Sequence, residues 1–185
     1  HWTVLSSITT AAAMVKAGAP VTTPWLETTV SPTKGGDWLA IVRTGSSAKA
    51  SLVSVRSADR GKTWSVPEKL PIAGKLPTLQ LLPNGVLALL TAHSKNHCRL
   101  YLSADGTGIE WSPAYILTSL SGGNAGMTSA ADDWLVVITP ANRRIDAWRL
   151  SIRPPSAVAQ NVAAPAGIKF AKGLLSWSGS AESCR

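Results

Sequence analysis

Ser57-Ala58-Asp59-Arg60-Gly61-Lys62-Thr63-Trp64 reads S-x-D-x-G-x-T-W, and each fixed position suits a tight polar turn. An aspartate in such a turn accepts hydrogen bonds from backbone N–H groups just ahead of it. Gly61 supplies a backbone conformation that a Cβ would hinder, and Thr63 offers a hydroxyl to close the loop. Trp64 then brings a large apolar ring to lie over the turn. A looser copy follows at Ser103-Ala104-Asp105-Gly106-Thr107-Gly108-Ile109-Glu110-Trp111, with one residue inserted and glutamate where threonine is expected. Leu52, Val53 and Val55 lead into the first copy, and Leu100, Tyr101 and Leu102 into the second. Both copies run on into serine, proline and another short apolar stretch.

The turn resembles the Asp-box, or bacterial neuraminidase repeat, which in sialidase-like proteins joins the third and fourth strands of a propeller blade. On that resemblance Ser57, Asp59, Gly61, Thr63 and Trp64, and then Ser103, Asp105, Gly108 and Trp111, have structural roles. The turns sit on the rim, away from the catalytic face, so they speak for architecture more than for activity.

A longer repeat surrounds the boxes. Gly35-Gly36-Asp37-Trp38, Pro83-Asn84-Gly85-Val86 and Ala131-Asp132-Asp133-Trp134 are polar turns that open apolar strands. The strands expected are 38–42, 86–90 and 134–138, whose first residues recur every 48 positions. Thr28, Thr78 and Thr128 mark the strand before each turn, and a third box falls due near Ser151, where Arg153 has replaced the aspartate. Short strands, frequent turns and this period predict an all-β fold of sialidase-like propeller blades, each a four-stranded unit. The blades are expected at residues 25–74, 75–122 and 123–164. Residues 1–24 would then hold the last strand of a preceding blade, and residues 165–185 the start of a further blade or a ring-closing strand. The segment 9–16, rich in alanine, is the one place where a helical turn is expected. Three to three and a half blades do not close a six-bladed ring. The expected partner is therefore a missing propeller half or another copy of the chain.

The chain has 185 residues, 45% of them hydrophobic, enough to bury a sizeable core. No apolar run approaches the length of a membrane-spanning helix. Eighteen Lys and Arg against ten Asp and Glu leave a net charge of +8. That surplus suits nucleic acid or an anionic sugar. The cations are scattered, with only Arg143-Arg144 adjacent, which disfavours a nucleic-acid groove. Cys98 and Cys184 could form one disulfide, in keeping with secretion to an extracellular setting. No cofactor is expected, and no set of residues has metal-ligand spacing.

Two charges call for an explanation. Glu27 interrupts the strand Trp25-Leu26-Glu27-Thr28-Thr29-Val30, and Arg43 ends the strand that begins at Trp38. With a period of 48, Thr91 and Thr139 hold the place of Arg43 in the other repeats, so a cation stands where its counterparts are small and neutral. Adjacent strands of one blade would let the pair reach an axial pocket, or meet each other as an ion pair within the blade.

The stretch from Trp25 to Trp64 resembles the middle of the sialidase superfamily, in which a glutamate-bearing strand and a strand ending in arginine precede an Asp-box. The resemblance implies that Glu27 is the acid assisting a tyrosine nucleophile and that Arg43 is one of three arginines clamping a substrate carboxylate. A planar guanidinium fork suits that ligand. Arg99 is the candidate for a further substrate-binding arginine, in the unfamiliar context Asn96-His97-Cys98-Arg99. The nucleophile is missing from its place: Tyr101 and Tyr115 fall on third and fourth strands, and residues 122–129 contain no tyrosine. Three readings follow. One is a carbohydrate-active enzyme, a glycoside hydrolase acting on a neutral or acidic glycan, to which this chain contributes part of the pocket. Another is a non-catalytic propeller that binds glycans or proteins with a decayed site. The third is a structural stack of blades.

Overall fold

The apolar alternation that leads into each box becomes an antiparallel strand, because a period of two puts one row of side chains on each face of a sheet. The computed structural model describes residues 3–19, 27–93, 97–118, 125–131, 133–141, 144–154 and 175–176. They form three four-stranded antiparallel sheets and one short helix, so the class is all-β. The first sheet is β1 (Thr28–Pro32), β2 (Trp38–Val42), β3 (Ser51–Ser57) and β4 (Glu68–Ala73), in chain order. The second is β5 (Lys75–Leu81), β6 (Leu87–His93), β7 (His97–Ser103) and β8 (Tyr115–Thr118), again in order. The third comprises β9 (Gly126–Ala131), β10 (Trp134–Ala141), β11 (Arg144–Ile152) and β12 (Leu175–Ser176). Leu175 and Ser176 pair with Ile152 and Ser151, so this segment joins the third sheet as its outer strand where the sequence suggests the start of a further blade or a closing strand.

The sheets stack in chain order, with β1 against β5 and β5 against β9. Leu39, Ile41, Leu52 and Ile72 of the first sheet meet Leu79, Leu87, Leu89 and Tyr101 of the second. The opposite face of the second sheet, with Ala88, Leu90, Leu100 and Leu102, meets Leu135, Val137, Leu150 and Ile152 of the third. Most of these side chains are fully buried, and two such layers supply the apolar core.

The outer face of the first sheet is covered without a sheet. Helix α1 (Ala11–Lys16) starts at Thr10, whose hydroxyl caps it by accepting from the Ala13 N–H at 3.2 Å. Its Met14 is buried against Ala40, Val42, Val53 and Val55. The helix agrees with the alanine-rich reading of 9–16. Among the described residues of segment 1–24 there is no strand.

Polar contacts tie the seam between the first two sheets. The Arg56 guanidinium pairs with Asp37 at 2.8 Å and donates to the Thr107 carbonyl at 2.7 Å. Burial pushes the Asp37 carboxyl up, but its bonds to Thr33 and Arg56 outweigh that and hold it below its ordinary value. The Lys34 N–H donates to the Gly106 carbonyl at 3.0 Å, so the second box rests its backbone on the first sheet's hairpin turn. Across the next seam the Asn84 amide donates to the Ile152 carbonyl at 2.7 Å.

Candidate functional site at the ends of β1 and β2

Both boxes close as their residue types demand. The Ser57 hydroxyl accepts from the Gly61 N–H at 2.7 Å and donates to Asp59, which accepts from the Thr63 N–H at 2.8 Å and the Thr63 hydroxyl at 2.7 Å. In the second box Ser103 accepts from the Gly108 N–H at 3.0 Å, so Gly108 stands where Gly61 does. The inserted Thr107 donates N–H and hydroxyl to Asp105 at 3.0 and 2.9 Å and so does the work of Thr63. The expectation of a threonine lost to Glu110 is therefore corrected: its function moved to the extra residue. Trp64 and Trp111 are half-buried over their own turns, their rings 3.5 and 3.3 Å from where a Cβ would sit on Gly61 and Gly108.

These bonds make the boxes acid-labile. The Thr63 N–H, then the Thr63 and Ser57 hydroxyls, hold the Asp59 carboxyl down to about 2 from 3.8, and the Thr107 N–H is the largest influence lowering Asp105. A carboxylate depressed in the folded state stabilises fully above its unfolded value and loses that contribution as pH falls through the folded value. Stability should therefore decline from about pH 4 down to about pH 2, and Asp59→Asn should flatten that decline in thermal melts. Melts of Asp59→Asn and unaltered protein that run parallel over this range would refute the assignment.

Pairing also corrects the repeat. Trp38 pairs with Ser57 and Leu87 with Ser103, so Leu87 rather than Val86 is the counterpart of Trp38, a spacing of 49. The hairpin turns agree: Gly36 and Gly85 both have φ near +85°, with values of 88 and 85. Thr91 therefore corresponds to Val42, and Arg43 corresponds to Ala92. In the third sheet Leu135 pairs with Leu150 on the face toward the second sheet, so Leu150 holds the place of the box serine. Ser151 pairs with Trp134 on the opposite face and donates to Asp133 at 3.1 Å. The replacement of a threonine by Arg43 is thus withdrawn as an argument for a site.

Glu27 and Arg43 do come together. The Arg43 N–H donates to the Glu27 carbonyl at 2.9 Å, extending the β1–β2 ladder by one pair and aiming both side chains at the second sheet. Arg43 Nη1 lies 2.5 Å from Glu27 Oε1, with the two side chains 12% and 31% exposed. The other carboxylate oxygen accepts from the Leu76 N–H at 2.8 Å. Leu76 has a φ of +51°, a left-handed conformation that a branched side chain adopts at a cost. The rest of the guanidinium turns inward, Nε to the Gly45 carbonyl at 2.6 Å and Nη2 to the Ser46 carbonyl at 3.2 Å. One carboxylate thus clips the second sheet's first strand to the first sheet, and one guanidinium closes the loop after β2.

Arg99 lies on β7 opposite Thr91, half-buried and directed at the first sheet, with Nε donating to His97 Nε2 at 3.4 Å. Its face puts it in the same seam as the clip, but no contact joins it to Glu27 or Arg43 in the structure. Tyr101 is buried in the layer between the first two sheets. Tyr115 lies against the next layer, where burial pushes its phenol up, partly offset by a bond to Ser112. Cys98 is buried, and Cys184 lies outside the described residues, as do Trp25, Leu26 and Arg143. The partners that sequence reasoning missed are the Gly45, Ser46 and Leu76 backbone groups, which carry no residue-type signal. Among the described residues no group of three or more metal-ligating side chains occurs, and no helix is long and apolar enough to cross a membrane.

Neither the family models nor the curated proteins include a match to this chain.

Proposed function

We propose that the three sheets are sialidase-like propeller blades and that the chain is a non-catalytic protein that recognises an acidic glycan. The observation that carries the non-catalytic part is the engagement of Glu27 and Arg43. Both oxygens of the acid and all three nitrogens of the guanidinium have partners within the protein. A general acid or base must reach its proton, and a carboxylate clamp must present its fork. With Tyr101 buried in an apolar layer and Tyr115 against the next one, the arrangement favours the decayed-site reading over the hydrolase. In support of blades are the four-stranded meanders, the side-by-side first strands and two boxes at the same hairpin position. In support of an acidic ligand are the net charge of +8 and the half-buried Arg99.

Calorimetric titration with sialic acid, a uronic acid and a neutral hexose tests the ligand. Arg99→Ala should weaken the acidic sugars by about 1.5–3 kcal/mol, the worth of a hydrogen bond to a charged group, and leave a neutral sugar unchanged. No binding of any of the three by folded protein would end the glycan reading. Release of sialic acid from a fluorogenic sialoside by this chain alone would restore the hydrolase.

A further inference from the structure

Among the described residues, one end of the stack of sheets is covered and the other is not. The face of the second sheet that carries Leu87, Leu89 and Tyr101 meets the first sheet, and the matching face of the third, with Leu135, Val137 and Leu150, meets the second. On the first sheet the matching residues are Trp38, half-buried beside the hairpin turn, and Ala40, Val42, Val53 and Val55, none of these four more than 1% exposed. What covers them is the segment 3–19: Met14 and Ala19 are fully buried there, and Ile8 packs beside them. The segment is also tied to the first box. The Ser6 hydroxyl donates to the Gly61 carbonyl and accepts from the Trp64 indole N–H at 3.1 Å. The far end differs. The outer face of the third sheet carries Val136, Ile138, Ile145 and Ala147 by register, with Ile138 48% and Ile145 71% exposed, and Arg149 lies 3.9 Å over the Trp134 ring.

We infer that residues 3–19 are an end cap that holds the chain out of head-to-tail association with a second copy of itself. The seat they fill belongs to a sheet: every other face of this register in the molecule is covered by the outward face of the sheet before it. The third sheet's outer face is the continuation of those same outward faces, so in a second copy it is the surface that fits the seat. A head-to-tail contact of this kind does not pair a surface with itself and would build rings or filaments. A cap at one end prevents both. The inference rests on the stacking order alone and is independent of the glycan reading.

The test loosens the cap in the full chain. Met14→Asp places a charge against Ala40 and Val42 and should drive the segment off, at least doubling the weight-average mass in sedimentation velocity at concentrations where the unaltered chain shows no change. Adding Ile138→Arg, an exposed position, should return the mass to that of the unaltered chain. A synthetic peptide of residues 3–19 should reverse the association of Met14→Asp in trans. Circular dichroism reports whether the sheets survive. If Met14→Asp unfolds, Met14→Ala removes the anchor without adding charge and should show the same association to a smaller extent, again reversed by the peptide. A folded, cap-loosened chain with unchanged mass overturns the proposal. So does association that persists with Ile138→Arg present.

Discussion

Gly106→Ala is expected to lower the unfolding free energy by roughly 3 kcal/mol or more, placing it among the severe single substitutions. A Cβ built on Gly106 would stand 2.1 Å from the Gly85 carbonyl oxygen and 2.8 Å from the Lys34 Cβ. The first of these is backbone in a hairpin turn of the same second sheet, and the second belongs to the first sheet, so the methyl is blocked within its own sheet and across the seam. Gly106 cannot retreat, because its own carbonyl accepts the Lys34 N–H. Its φ of +73° adds a smaller cost. The first box separates the two causes. Arg60 is the equivalent residue and holds a φ of +59°, exposed and with a full side chain. Left-handed backbone alone is therefore tolerated at this place in a box, and the closeness of the Gly85 turn and of Lys34 is what demands glycine at 106. Arg60→Ala serves as the control and should move the urea midpoint little, whereas Gly106→Ala should move it far at constant slope. Equal midpoints for the two variants would show that the second box does not pack against the Gly85 and Lys34 turns.

The boxes were legible because their chemistry is local: serine, aspartate, glycine and threonine within eight residues bond to one another and to the backbone between them. The strand alternation was legible for the same reason, since a period of two survives without knowledge of any neighbour. Register was harder. The repeat of 48 placed Val86 opposite Trp38, and the pairing places Leu87 there. A shift of one residue moves every side chain of a strand to the other face, so a small error in spacing matched Arg43 with Thr91, whose side chain takes the other face. In the third sheet the connection between β9 and β10 is shorter, and a bulge falls between Trp134 and Leu135. Ser151, in step with the boxes by number, consequently lies on the wrong face for one. The N-terminal segment was legible as a helix and not as a cap, because nothing in Met14 or Ser6 names the sheet that each will meet.

Arg43→Ala is expected to act on the fold before it acts on any ligand. That Glu27 and Arg43 meet follows from two opposite charges on adjacent strands; their engagement does not, because the remaining partners are carbonyls and an N–H that any sequence supplies. Removing the guanidinium leaves Glu27 partly buried with one bond, to Leu76, and releases the loop at Gly45 and Ser46. Breaking a fully buried pair costs about 3–5 kcal/mol, and the 31% exposure of Glu27 brings the expectation to roughly 2–3 kcal/mol. Glu27→Gln should cost less, since the amide oxygen still accepts one of the two bonds. It should also weaken the restraint on Leu76, whose φ of +51° the carboxylate holds in place, and so raise amide exchange at the start of β5. A clamp for a substrate carboxylate behaves in the opposite way: Arg43→Ala would then leave the midpoint of unfolding in place and abolish acidic-sugar binding. Measuring both quantities on the one variant separates a clip between sheets from a substrate clamp. An unchanged unfolding midpoint in Arg43→Ala is the result that would return this pair to the active site of a hydrolase.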